Sequence, residues 1–141
     1  MNHTSPTKEV DTSRIWFGGL VTIFASVLGN LMLLAIANLL VDIPPEFEPL
    51  RPMRISVFTV ALLIPAIIVY AILAAKANHP RRLYRIIGWI FLMVSFIPDI
   101  AMLFVDFMPA ATGTAVIILM LTHVIPGLIA LYLLPYMTQP Q

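Results

Sequence analysis

Four stretches of the chain are almost free of charged residues: 15–41, 55–75, 86–105 and 114–134. A helix of about 20 residues crosses the hydrocarbon core of a bilayer, and each stretch meets that length. The first, at 27 residues, is long enough to cross with a tilt. A cleaved signal peptide is the competing reading for it, because Ala35-Ile-Ala37 has small-x-small spacing. A signal core is only about 7–15 residues long, however, so a retained helix is expected. The pattern predicts an all-α fold, a polytopic four-transmembrane-helix bundle over residues 15–135. A polar cytoplasmic tail at 1–14 precedes it and a short C-terminal tail at 136–141 follows.

The connections are polar and differ in kind. Residues 42–54 hold four prolines, three acids and two arginines, and proline both lacks a donor N–H and restricts the residue before it, so an extended loop is expected. Residues 76–85 form a basic stretch without an acid, and 106–113 turn the chain between the last two spans. Pro65, Pro98 and Pro126 lie inside spans. Each is expected to kink its helix and to free the carbonyl four residues earlier, which neighbouring groups in a bundle can satisfy.

Composition agrees with the pattern: 60% of the residues are hydrophobic and only 15 carry a formal charge. The net charge of +1 gives no basic surface for nucleic acid. The absence of cysteine excludes disulfides, thiolate metal sites and palmitoylation. With four spans, Lys8, Arg14, Lys76, Arg81, Arg82 and Arg85 fall on one side, leaving Arg51 and Arg54 on the other. The side richer in Lys and Arg is normally cytoplasmic, so both termini are expected inside, in a multi-pass protein of the cell (inner) membrane. Lys76, Arg81, Arg82 and Arg85 are also candidates for anionic lipid headgroups. Trp16, Tyr84 and Trp89 suit an interfacial belt on that side.

Candidate chemistry is confined to a few polar residues within the spans: Asp99, His123, Asn30 and Ser95. An acid at membrane depth is costly and faces protein or water rather than lipid. At about 1.5 Å per residue, Asp99, His123 and Asn30 lie roughly 9, 13 and 16 Å from the outer ends of their spans. They are therefore expected in one layer, with Asp99 against His123, because the third and fourth spans share a short connection. Pro98 and Pro126 would supply freed carbonyls at Val94 and Thr122 beside them. Such a layer can fix helix packing alone, since a protonated carboxyl is itself a donor, or it can handle a proton or ligand. Gly18, Thr22 and Ser26, with Gly29 alongside, form a stripe of small residues on the first span. It permits close helix approach, either within the chain or in a homodimer. No phosphate loop, Ser–His–Asp set or HExxH is present. Asp99, His123 and Asn30 are too few donors for a metal site, so no metal, cofactor or enzymatic activity is expected.

Gly29-Asn30-Leu31, the basic stretch before the third span, Ser95-x-x-Pro98 and Leu121-Thr-His123 together resemble an uncharacterised family of small bacterial four-helix membrane proteins, a domain of unknown function. The resemblance runs over about residues 14–135. It implies the four-helix fold and a bacterial inner-membrane location but no activity. Asn30, Ser95, Pro98 and His123 are the matching positions, and Asp99 is not one of them. The reading that follows is a structural or accessory membrane protein acting through partners or self-association. The alternative is a proton-coupled small-molecule transporter or ligand-binding membrane protein built on the Asp–His–Asn layer.

Overall fold

In the computed structural model, which describes residues 10–105, 108 and 110–140, the chain forms four long helices. These are α1 (Ile15–Leu40), α2 (Pro52–Lys76), α3 (Pro80–Ala101) and α4 (Gly113–Met137). All four are long and apolar enough to cross a membrane. Residues 1–9 of the expected tail, positions 106, 107 and 109 of the third connection, and residue 141 lie outside the described residues.

Two helix starts differ from expectation, and both fall at a proline. The prolines of 42–54 favour an extended loop, and the polar, basic stretch 76–85 reads as a connection. Yet Pro52 and Pro80 each occupy the first turn of a helix, where the missing N–H has no partner to lose. The basic stretch is therefore mostly helical, and only Ala77–His79 connects α2 to α3. The first connection carries a 3-10 turn, Glu48–Leu50, braced by Arg54–Glu48 at 3.0 Å and by Arg51 donating to the Pro45 carbonyl at 2.6 Å. Phe47 and Leu50 plug it into a cluster with Leu34, Ile55 and Val116 at one end of the bundle.

At the other end the termini interlock. Asp11 receives the N–H and hydroxyl of Ser13, capping the turn Thr12–Arg14 ahead of α1, while its own N–H donates to the Thr138 carbonyl at 2.9 Å. Tyr70 is fully buried, packs on Tyr84 and hydrogen-bonds the Thr138 hydroxyl at 2.8 Å. Tyr84 is thus a core residue and not part of an interfacial belt.

The helices run α1–α2–α3–α4 around the bundle, with α4 the most deeply buried. The small-residue stripe lies inside the chain: Gly18, Thr22 and Ser26 are buried, Gly18 faces Leu134 and Met137 of α4, Gly29 faces Ile125, and Gly19 faces Ile67 of α2. It serves intrachain packing, which removes it as the homodimer face. Facing outward instead are Trp16, Phe17, Leu20, Phe24, Leu28 and Met32, an apolar surface compatible with lipid.

Candidate functional site

The expected polar layer exists, but it is divided in two by α4. On one side is Asn30, 1% exposed. Its amide donates to the Thr59 hydroxyl of α2 and to the Thr122 carbonyl of α4, both at 2.9 Å. Thr122 is four residues before Pro126, so its carbonyl lacks the usual helical donor. Asn30 supplies that donor from another helix. This is a close-packed joint between α1, α2 and α4.

On the other side, Asp99 of α3 meets His123 of α4. Asp99 is 3% exposed, and its Oδ2 lies 3.2 Å from His123 Nδ1. The same ring nitrogen is 3.0 Å from the Leu119 carbonyl. A carbonyl can only accept, so Nδ1 carries the proton shared towards Leu119. One N–H cannot align with two acceptors, and Asp99 Oδ2 is left buried without an aligned donor among the described residues. Nε2 is then the ring nitrogen left over.

The pair does not sit at equal distances from the two helix ends. α3 ends at Ala101, two residues beyond Asp99, whereas His123 lies ten residues into α4. α4 therefore continues roughly 15 Å past the pair. Its outer turns are covered by Ile43, Phe47, Met102, Met108 and Ala111. The remaining candidate, Ser95, does not reach Asp99; its hydroxyl donates to the Leu92 carbonyl one turn back. α2, α3 and α4 run on through Pro65, Pro98 and Pro126 respectively.

What the sequence did not reveal is the space beside the pair. A cavity of about 510 Å³ lies between α2 and α3 with α4 as its back wall. Asp99, His123, Ser95, Thr59 and Thr122 are the polar residues along its membrane-embedded wall. Phe58, Leu62, Ile87 and Phe91 form its lips and are 41–62% exposed, so it opens sideways, where a bilayer would lie. Two glycines bring the back wall close to α3. A Cβ on Gly88 would run into Leu131, and one on Gly127 would sit 3.2 Å from Leu92. The hydroxyls of Ser95 and Thr122 are spent on carbonyls of their own helices, and that of Thr59 accepts from Asn30. The open hydrogen-bonding capacity is therefore concentrated at Asp99 and His123. No group of three or more metal-ligating side chains occurs among the described residues.

The basic residues proposed for headgroups gather at the end that holds the termini. Arg82 and Lys76 are exposed, Arg81 is partly covered, and Arg85 stacks over the Tyr132 ring at 5.4 Å from its centroid.

Fold and site together define a class: a small polytopic four-helix membrane protein with a lateral apolar cleft and a buried acid–imidazole pair on its wall. The chain belongs to a family of unknown function, DUF6069, whose model matches residues 10–139. No curated protein and no solved structure matches it.

Proposed function

We propose that this protein binds a lipophilic small molecule taken sideways from the bilayer, and that it does so without catalysing a reaction. The observation that carries this reading is the buried Asp99 Oδ2, approached only by His123 Nδ1 at 3.2 Å and out of line, on the wall of an apolar cavity. A buried acceptor left wholly without a donor costs about 1–3 kcal/mol, and a ligand offering an O–H or N–H in line with Oδ2 would recover the part that the misaligned His123 contact leaves. The volume of about 510 Å³ is within the range of small-molecule sites, which are mostly apolar with a few polar groups. The ligand class that fits has an apolar body along Phe58, Leu62 and Phe91 and a single donor-bearing head, such as an alcohol or phenol, at Asp99 and His123. Proton-coupled transport would require the same site and a second conformation. The accessory reading is favoured at Asn30, whose bonds join three helices. Both termini are read as cytoplasmic and the membrane as a bacterial inner membrane, from the basic residues at the end holding the termini and from the family resemblance.

The test is photolabelling of the full-length protein in neutral detergent with a diazirine-bearing long-chain alcohol. Labelling is expected on the α2 and α3 walls of the cleft. It should fall at least fivefold in Ala66→Trp, which fills the cleft, and in Asp99→Leu. The methyl ether of the same probe should label weakly. Equal labelling of the outward face of α1, or labelling unaffected by Ala66→Trp, would overturn the proposal.

A further inference from the structure

A second concavity, about 680 Å³ in volume, lies on the outer face of α4, away from the cleft. Its floor is apolar, built from Leu128, Ile129 and Leu133 of α4, and Ala25 of α1 keeps one side low. At the end near the termini it is lined by Arg81 and Arg85 of α3 and by Tyr132 and Tyr136 of α4. Both pairs are four residues apart on antiparallel helices, so each presents one face to the groove. Arg85 is exposed and held over Tyr132. Among the described residues no carboxylate pairs with Arg85. Asp42, Glu46 and Glu48 are at the opposite end, Asp11 is engaged by Ser13, and Asp99 faces the cleft. α3 begins at Pro80, so Arg85 lies only roughly 7 Å into the helix, the depth of lipid phosphates rather than of acyl tails.

We infer that this groove is a binding site for an anionic glycerophospholipid. One acyl chain lies along Leu128, Ile129 and Leu133, where Ala25 leaves room. The phosphate accepts from the Arg85 guanidinium, in the fork geometry that suits phosphate oxygens, and from the exposed phenol hydroxyls of Tyr132 and Tyr136. Charge complementarity selects an anionic lipid over a zwitterionic one, because a choline group would place a second cation beside Arg85. This site is independent of the cleft and of any ligand there.

The inference is tested by native mass spectrometry of the full-length protein in neutral detergent, offered equal amounts of dioleoylphosphatidylglycerol and dioleoylphosphatidylcholine. Preferential retention of phosphatidylglycerol is expected. Arg85→Gln should reduce it about fivefold, the factor equivalent to the roughly 1 kcal/mol that one basic residue contributes at an anionic surface. Lys76→Gln removes a charge at the same end but outside the groove, and should leave retention unchanged. Ala25→Trp keeps every charge while closing the apolar floor, and should lose it. Inorganic phosphate should not displace the lipid. Equal retention of the two lipids, an equal loss in Lys76→Gln, full retention in Ala25→Trp, or displacement by phosphate alone would each overturn the assignment.

Discussion

Replacing Asn30 by alanine removes two interhelical hydrogen bonds, and their costs differ. Thr59 lies within a helix and can turn its hydroxyl to its own backbone, so losing that bond should cost about 0.6 kcal/mol, the average measured for such bonds in membrane bundles. The Thr122 carbonyl has no such recourse, because Pro126 occupies the position of its helical donor. Left buried and unpaired, it should cost about 1–3 kcal/mol. Asn30 Oδ1 is itself buried without a partner among the described residues, and deleting it returns about 1 kcal/mol, the low end of the same range. The net expectation for Asn30→Ala is a loss of about 2 kcal/mol, read from SDS titration in mixed micelles. The sharper prediction is a coupling. Pro126→Ala restores an N–H for the Thr122 carbonyl, so Asn30→Ala in that background should cost no more than about 1 kcal/mol. The same cost in both backgrounds, or a loss below about 0.5 kcal/mol in the parent, would refute the account of Asn30 as the substitute donor.

Gly88→Ala places a methyl against Leu131, which is 2% exposed and has little room to turn; it should cost about 1–3 kcal/mol, and Leu131→Ala in the same chain should recover part of that loss in the same titration. Tyr70→Phe removes the bond to Thr138, whose hydroxyl still reaches the carbonyls of Leu134 and Pro135, so a loss of about 0.5–1.5 kcal/mol is expected in thermal melts. The hydrogen bond from Ser13 holds the Asp11 carboxyl below the ordinary aspartate range. A lowered acid stabilises its folded contact above that range and loses the contribution as pH falls through the folded value. The Ser13 amide resonance should therefore stay in its capped position at neutral pH and shift only below the usual aspartate midpoint, and a shift centred above that midpoint would contradict the cap.

Lipid imposes severe demands on sequence, and that is why the four spans were legible. Every backbone group must be satisfied within the helix, so apolar runs of sufficient length leave one architecture. The same logic marked Pro126 as the source of a free carbonyl at Thr122, and the structure uses that carbonyl. What occupies it was not legible, because the donor comes from α1, 92 residues away, and depth counting alone had grouped Asn30 with Asp99. The helix start at Pro52 was hidden by proline's two roles, as breaker within a helix and as favoured first residue, and the start at Pro80 by the polar, basic residues around it. The Asp99–His123 contact was expected, although the span end behind the estimate was four residues too far. The cavity left no trace in the sequence. Its lips are ordinary apolar residues, and nothing in Phe58 or Phe91 distinguishes a residue beside a cleft from one against lipid.

Asn30 and Asp99 sit beside the same turn of α4, yet they should respond oppositely to removal. Every donor on the Asn30 amide is in use, so the fold depends on it. Asp99 Oδ2 has only an unaligned approach from His123, and a half-satisfied polar group in a dry interior is worse for stability than an apolar one. Removing it does not strand the imidazole, because His123 Nδ1 retains the Leu119 carbonyl at 3.0 Å. Asp99→Leu, matched in branched shape and with the cleft beside it to take its larger methyls, should therefore leave stability within about 0.5 kcal/mol of the parent or raise it by up to about 2 kcal/mol, while lowering cleft labelling by the alcohol probe at least fivefold. That is the trade expected when a residue is kept for binding at a cost in stability. Loss of more than about 2 kcal/mol in Asp99→Leu, on the scale of the loss expected for Asn30→Ala, would show that Asp99 holds the helices together, and the ligand site would lose its anchor.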